Sequence, residues 1–178
     1  MQWQIDTSHS SVTAAVKYMM LTTVRGAFSG ASGFIDFDPA RPEAGAIELR
    51  IPAASVNTGD EKRDRHLRSP DFLDVETHPE IVFRSTKVTP KGKVQLVVDG
   101  DLTIRGTTKP VSVNVLVLGV AEDLRAGQRA GFDATLSFDR TQWGLTWNMP
   151  ISSGVLVGEK ITIEANIAAT AHAEAIAA

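Results

Sequence analysis

Apolar residues recur at every second position through almost the whole chain, and that period belongs to strands with one face buried. Val12, Ala14, Val16 and Tyr18 alternate with Thr13, Ala15 and Lys17. Phe28 and Phe34 share one face of a Gly-rich stretch from Val24 to Asp38, and Ile47, Leu49 and Ile51 alternate with Glu48 and Arg50. Ile81 and Phe83 follow the same parity, as do Val94, Leu96, Val98, Leu102 and Ile104. Val111 to Val117, Phe132 to Phe138 and Ile161 to Ile167 complete the series. Eight strands are predicted, with tight turns at Pro90-Lys91-Gly92 and Arg105-Gly106-Thr107.

Eight alternating strands suit an all-β fold, a closed antiparallel barrel, because closure removes the unpaired edges of an open sheet. Such a barrel is either filled by side chains or holds one small ligand. The inward positions are mostly Val, Ile, Leu and Ala, which favours a hollow centre, although a flattened sandwich can use the same residues. Strand parity points Val12, Val16, Phe28, Phe34, Phe83, Leu96, Val98, Val113, Val115, Phe132, Leu136 and Ile163 inward. Ile35, Phe37, Leu116 and Leu118 then form an outward apolar set, the sequence support for a homodimer. One segment breaks the period: Ser55 to Phe72 is polar with helical spacing, Asp60-Glu61 at its start and Arg65 and Arg68 near its end, as a helix dipole favours. It reads as one short helical insertion. A single domain over residues 1–170 is expected, followed by an Ala-rich tail, 171–178.

Several function classes drop out. None of the 178 residues is cysteine, which excludes a disulfide scaffold, a thiol nucleophile and thiolate metal sites. A formal net charge of −3 argues against nucleic acid, or an anionic membrane, as the main partner. The longest apolar run, Val115 to Ala121, falls well short of the roughly 20 residues of a membrane helix, so no integral membrane segment is expected. The first residues have no basic start or apolar run of a signal peptide. The expected location is the cytoplasm, or the periplasm if the sequence is a processed form. No phosphate-binding glycine loop, nucleophile elbow or zinc-protease motif is present. His9, His66, His78 and His172 lack the spacing of metal ligands on one element.

Two clusters remain. The charged run Glu61 to Phe72 reads as a solvated helix docked through Leu67 and Phe72, or as one that turns Arg63 or His66 toward a head group. Trp143 and Trp147, with Leu145 and Met149, are core plugs, an interface patch or a lining of a pocket mouth, since indoles suit boundaries between apolar and wet regions.

Asp6-x-x-His9-Ser10, Val24-Arg25-Gly26-x-Phe28 and Arg63-Asp64-x-His66-Leu67-Arg68-Ser69-x-Asp71-Phe72 resemble the YceI-like polyisoprenoid-binding proteins. So do Pro79-Glu80-Ile81-x-Phe83-x-Ser85, Gly100-x-Leu102-Thr103-Ile104-x-Gly106 and Asp139-Arg140-x-x-Trp143-Gly144. The likeness spans about residues 2 to 169. It implies a lipocalin-like barrel, usually non-enzymatic and often dimeric, with a tunnel for an isoprenoid or similar amphiphile. Tyr18 and Ala14 depart from the family, whose members often carry His and an aromatic there.

The leading expectation is therefore binding or carriage of an isoprenoid or fatty-acid-like lipid, with no cofactor and no metal. Tyr18, Met19, Met20, Trp143 and Trp147 are placed at the mouth, because three apolar residues in a row end a strand there and flexible Met side chains adapt to varied ligands. Arg63 to His66 are expected to brace the barrel, with Arg63 and Arg68 paired to Asp64 or Asp71. The alternatives are a small barrel enzyme acting on an apolar substrate through Tyr18, His9 or His66, a haem or metal carrier using one histidine, and an interaction module if the barrel is solid.

Overall fold

The computed structural model describes residues 1–123 and 127–171, so Ala171 belongs to the last strand and the rest of the expected tail, with His172, lies outside the described residues. The alternating stretches become antiparallel strands, preceded by a short one, β1 Gln2–Ile5: β2 Ser11–Tyr18, β3 Thr22–Phe28, β4 Ser32–Asp36, β5 Ala46–Pro52 and β6 Glu80–Pro90. Then follow β7 Gln95–Ile104, β8 Thr107–Asp123, β9 Gly127–Asp139, a small hairpin of β10 Pro150–Ile151 and β11 Gly154–Val155, and β12 Val157–Ala171. The sheet order is β1-β4-β5-β6-β7-β8-β9-β12-β2-β3, and β1 also pairs with β12. That extra pairing closes the ring. β2 continues the position of β1 along β12, and β3 that of β4, so the barrel has eight staves.

The first stave is broken where five residues, Asp6 to Ser10, face two on β12. The Asp6 amide and the Ser10 hydroxyl both donate to the Ala168 carbonyl, at 2.8 and 3.2 Å. The Asp6 carboxylate accepts from the Ser8 hydroxyl and amide, the His9 ring and Arg129 of β9. The Ser8 hydroxyl, then Arg129 and His9, hold its pKa far below the usual carboxylate range. His9 is spent on this outer clasp.

A second break, Ser29 to Ala31 between β3 and β4, changes parity. Ile35 and Phe37 are consequently buried inside, and Phe34 faces outward opposite Gln4 and Glu48. This corrects the expectation for Phe34 and for two of the four outward residues. A continuous strand was assumed there, whereas Gly33 allows β4 to press on β5: a Cβ at this position would sit 2.0 Å from the Glu48 carbonyl oxygen.

Two packed groups result. At the lower end Trp3, Phe37, Leu96, Val98, Phe132 and Ala169 close the barrel, with the Phe37 and Phe132 rings edge to face at 5.4 Å. Near the upper end Leu102, Ile104, Trp143 and Leu145 pack against Val56 and Leu73 of the segment from Pro52 to Pro79. That segment is less helical than its spacing suggested, with α1 confined to Glu61–Arg68. Gly59, at φ +81°, turns the chain into the Asp60 cap, whose carboxylate accepts from the Arg63 amide. Ser69 precedes Pro70 and is extended, which ends the helix.

Candidate functional site

The barrel is hollow. A cavity of about 1280 Å³ runs up its axis, above the roughly 300–1,000 Å³ of ordinary small-molecule pockets. Ile5, Ile35, Phe132 and Ile167 line its lower part, and Ile47, Leu49, Ile81, Phe83, Val113, Leu136 and Ile163 its walls. Many wall residues are only partly buried because their free face meets the cavity rather than the outer surface. Gly100 makes room for one of them: a Cβ there would lie 2.5 Å from the Phe83 ring. Polar side chains gather at the upper end, where Lys17, Tyr18, Thr58, Asp60, Lys62, Arg63, Arg65 and His66 surround the opening.

Val12, Val16, Tyr18, Phe28, Phe83, Val98, Val113, Val115, Phe132, Leu136, Trp147 and Ile163 all line this space. Five predicted residues do not. Phe34 is outside for the reason given. Leu96 points inward but is 7% exposed and packs into the closed lower end. Trp143 is a plug, 2% exposed, with its ring 4.8 Å from Phe138 and its Nε1 donating to the Leu102 carbonyl at 2.9 Å. Met19 and Met20 form the tip of the β2–β3 turn and project beside the mouth rather than into it. Both have positive φ, 53° and 58°, and the Leu21 amide donates to the Tyr18 carbonyl at 3.0 Å. Two consecutive left-handed non-glycine residues cost roughly 1–2 kcal/mol each.

Trp147 sits where an indole at a mouth was expected. His66 meets it edge to face at 4.6 Å and meets Phe72 at 5.0 Å, while His66 Nε2 lies 2.9 Å from Asp71 Oδ2. The helix braces as predicted but through other partners. Arg63 donates to the hydroxyl and carbonyl of Thr58, and Arg68 to the carbonyls of Ala54 and Val56. Asp64 accepts from the Thr58 amide and hydroxyl instead of an arginine. Carbonyls of the irregular 53–59 segment need donors, and long guanidinium side chains reach them.

Sequence reasoning missed Arg140. It is 2% exposed yet lines the cavity beside the mouth, and it donates to the carbonyls of Gly158 at 2.8 Å, Trp147 at 3.1 Å, Val157 at 3.3 Å and Leu145. Desolvation pulls its pKa below the ordinary value, opposed by the nearby charges of Glu159 and Asp139. The Phe72 ring lies 6.0 Å from its guanidinium carbon. Ile47, Leu49, Ile51, Ile161 and Ile167 also line the space, and their period-two faces carried the signal. Among the described residues no ionisable side chain lines the lower cavity, and no three His, Asp or Glu side chains converge on a metal-sized site.

Fold and site together define a closed antiparallel β-barrel that encloses a deep apolar pocket beneath a polar mouth. Residues 3–169 match the model of the YceI-like domain, and the chain belongs to that family. A UPF0312 protein of Shewanella baltica is 36% identical over 149 residues, covering 83% of this chain and 78% of its own. One from Vibrio cholerae is 35% identical over 143 residues, covering 79% and 76%. The crystal structure of Burkholderia cenocepacia BcnA superposes with a TM-score of 0.82 at 27% identity, covering 92% of this chain and 98% of that one. A polyisoprenoid binding domain from Saccharophagus degradans shares the fold, with a TM-score of 0.70 at 14% identity over 96% and 98% of the two chains.

Proposed function

We propose that this protein binds and carries a long-chain isoprenoid or similar amphiphilic lipid, with the chain in the barrel and the head group at the mouth. The observation that carries this is the apolar cavity of about 1280 Å³, closed below and polar only at its upper end. Each ligand methylene taken out of water gains roughly 0.8 kcal/mol, so a long chain needs no polar grip along its length. The likeness to a polyisoprenoid binding domain supports an isoprenoid. Catalysis is not part of this reading, because the ionisable groups lining the cavity cluster at its mouth, away from where most of a bound chain would lie.

Mass spectrometry of a solvent extract of purified protein tests it, together with Ala134→Phe, which adds a ring to the wall. The variant is expected to shorten the longest extracted chain while stability moves by less than about 1 kcal/mol. Repeatedly empty extracts, with a loss of about 1–3 kcal/mol as for an overpacked core, would sink the proposal.

A homodimer is a further part of the proposal. With Ile35 and Phe37 inside, the expected set narrows to Leu116 and Leu118, which Val120 on β8 and Val94 just before β7 join on the outer wall, all 38–52% exposed. Light scattering is expected to give twice the chain mass, and Leu118→Asp the monomer. A monomeric wild type at micromolar concentration would reject it.

A further inference from the structure

We propose that the rim of the cavity mouth docks on the surface of an anionic lipid bilayer, so that cargo passes between membrane and barrel without crossing bulk water. The inference rests on the lipid-binding reading and adds the partner. Four apolar side chains stand out at this end: Leu21 is 76% exposed, Met20 61%, Met149 50% and Tyr18 41%. They belong to one collar, because the Met19 amide donates to the Leu156 carbonyl and the Leu156 amide to that of Met149, at 2.8 and 3.0 Å. Exposed methionine and leucine beside a pocket mouth favour insertion into an interface over contact with water.

The turn itself points the same way. Positive φ at two successive positions is ordinarily met by Asn-Gly, yet the chain holds Met19 and Met20 there, 53° and 58° in φ. Strain retained at an exposed apolar tip is explained by what the tip touches rather than by stability.

Charge selects the kind of bilayer. Lys17, Lys62, Arg63 and Arg65 line the opening, and Asp60, spent on capping α1, is the carboxylate among the lining residues there. Glu61 stands 4.0 Å from Arg65 and Asp71 2.9 Å from His66 Nε2, so the four cations still outnumber the carboxylates Asp60, Glu61 and Asp71. A net charge of −3 over the whole chain therefore coexists with a locally basic face, and the field at a docking surface is the local one. Bringing the mouth against anionic head groups aligns the apolar interior with the acyl region, which removes the cost of exposing a long chain to water.

Vesicle flotation of the full chain tests this, with phosphatidylcholine alone or mixed with phosphatidylglycerol. Binding is expected to be at least about tenfold tighter to the anionic vesicles and to weaken as salt rises. Met20→Asp with Leu21→Asp should cost about tenfold in vesicle affinity. Met19→Asn with Met20→Gly suits the turn, so it should fold at least as well and still lose vesicle binding. Both variants should take up a soluble fluorescent fatty acid like the wild type, and Leu118→Asp, on the outer wall, should float normally. Docking is overturned if the collar variants float unchanged, if both vesicle types bind equally or not at all, or if Leu118→Asp alone abolishes flotation. Intact flotation without uptake of the fatty acid would support docking and sink the cargo reading instead.

Discussion

Trp143→Ala is expected to lower the free energy of unfolding by about 3–5 kcal/mol, measured by urea denaturation, while the apolar cavity still takes up lipid. The indole is almost wholly enclosed by Leu102, Ile104, Val56, Leu73 and Leu145, with Phe138 against its face. Truncation would open a void among groups held by two strands, a short 3-10 turn and the overlying cap, and such sites collapse only partly. It would also strip the Leu102 carbonyl of its donor. Trp143→Phe should recover most of the packing but not that hydrogen bond, leaving a deficit of about 1–2 kcal/mol. The contrast with Trp147 makes the assignment decisive. Trp147 is half-buried and one of its faces meets the cavity, so Trp147→Ala should cost less stability and speed ligand release. If Trp147 proved the costlier truncation, plug and portal would have been interchanged.

That distinction was not legible in the sequence, where the two tryptophans stand four residues apart in one apolar cluster. Their separation comes from backbone chemistry: Asp139 caps a 3-10 turn over Arg140–Trp143, and Gly144 at φ +78° ends it, sending Leu145 inward and Trp147 toward the mouth. The staves, by contrast, were readable because a strand's period of two forces each residue to one face once closure is assumed. From Leu96 onward that parity leads to the interior, as Val98, Val113, Val115, Phe132, Leu136 and Ile163 illustrate. It failed at Phe34, where a three-residue break reset the count, since a shift of one residue exchanges the faces of a strand. β1 escaped notice because Gln2–Ile5 is too short to display a period, although Trp3 becomes one of the most buried residues.

The bracing of α1 was legible in outcome but not in partners. Sequence adjacency suggested arginine with carboxylate, whereas Arg63 and Arg68 serve backbone carbonyls of an irregular segment with no sheet partner along most of its length. The segment crosses the upper end between β5 and β6 and meets β3 through the Ala27–Asn57 bridge. There β3 and β5 are not paired, so the barrel that is ringed by ladders below is closed above by side chains and the two backbone hydrogen bonds of that single bridge. The difference locates the mouth. A ladder opens only by breaking backbone bonds, while side-chain contacts can part locally, and a chain-shaped ligand needs only the latter.

Arg140→Met is expected to cost about 3–5 kcal/mol and to accelerate lipid release. Among the described residues no carboxylate pairs with this buried cation, and it survives because its guanidinium donates to four carbonyls at once: Leu145, Trp147, Val157 and Gly158. Those oxygens belong to the irregular stretch after the 3-10 turn and to the start of β12, which form one side of the mouth. Methionine fills similar volume but donates nothing, so up to four oxygens lose their partner, each at about 1–3 kcal/mol unless water reaches it. Water will reach some of them, because the mouth is near, and relief by hydration means local opening. Amide exchange at Met19 and Leu156, whose hydrogen bonds stitch this side to the β2–β3 turn and to Met149, should quicken well beyond that at Val98 or Phe132 in the closed end. Arg140→Lys should fall between, since an ammonium keeps the charge but cannot span the same fork. Uniform exchange throughout the barrel, or unchanged lipid retention in the methionine variant, would show that Arg140 supports the fold as a whole and does not set the mouth.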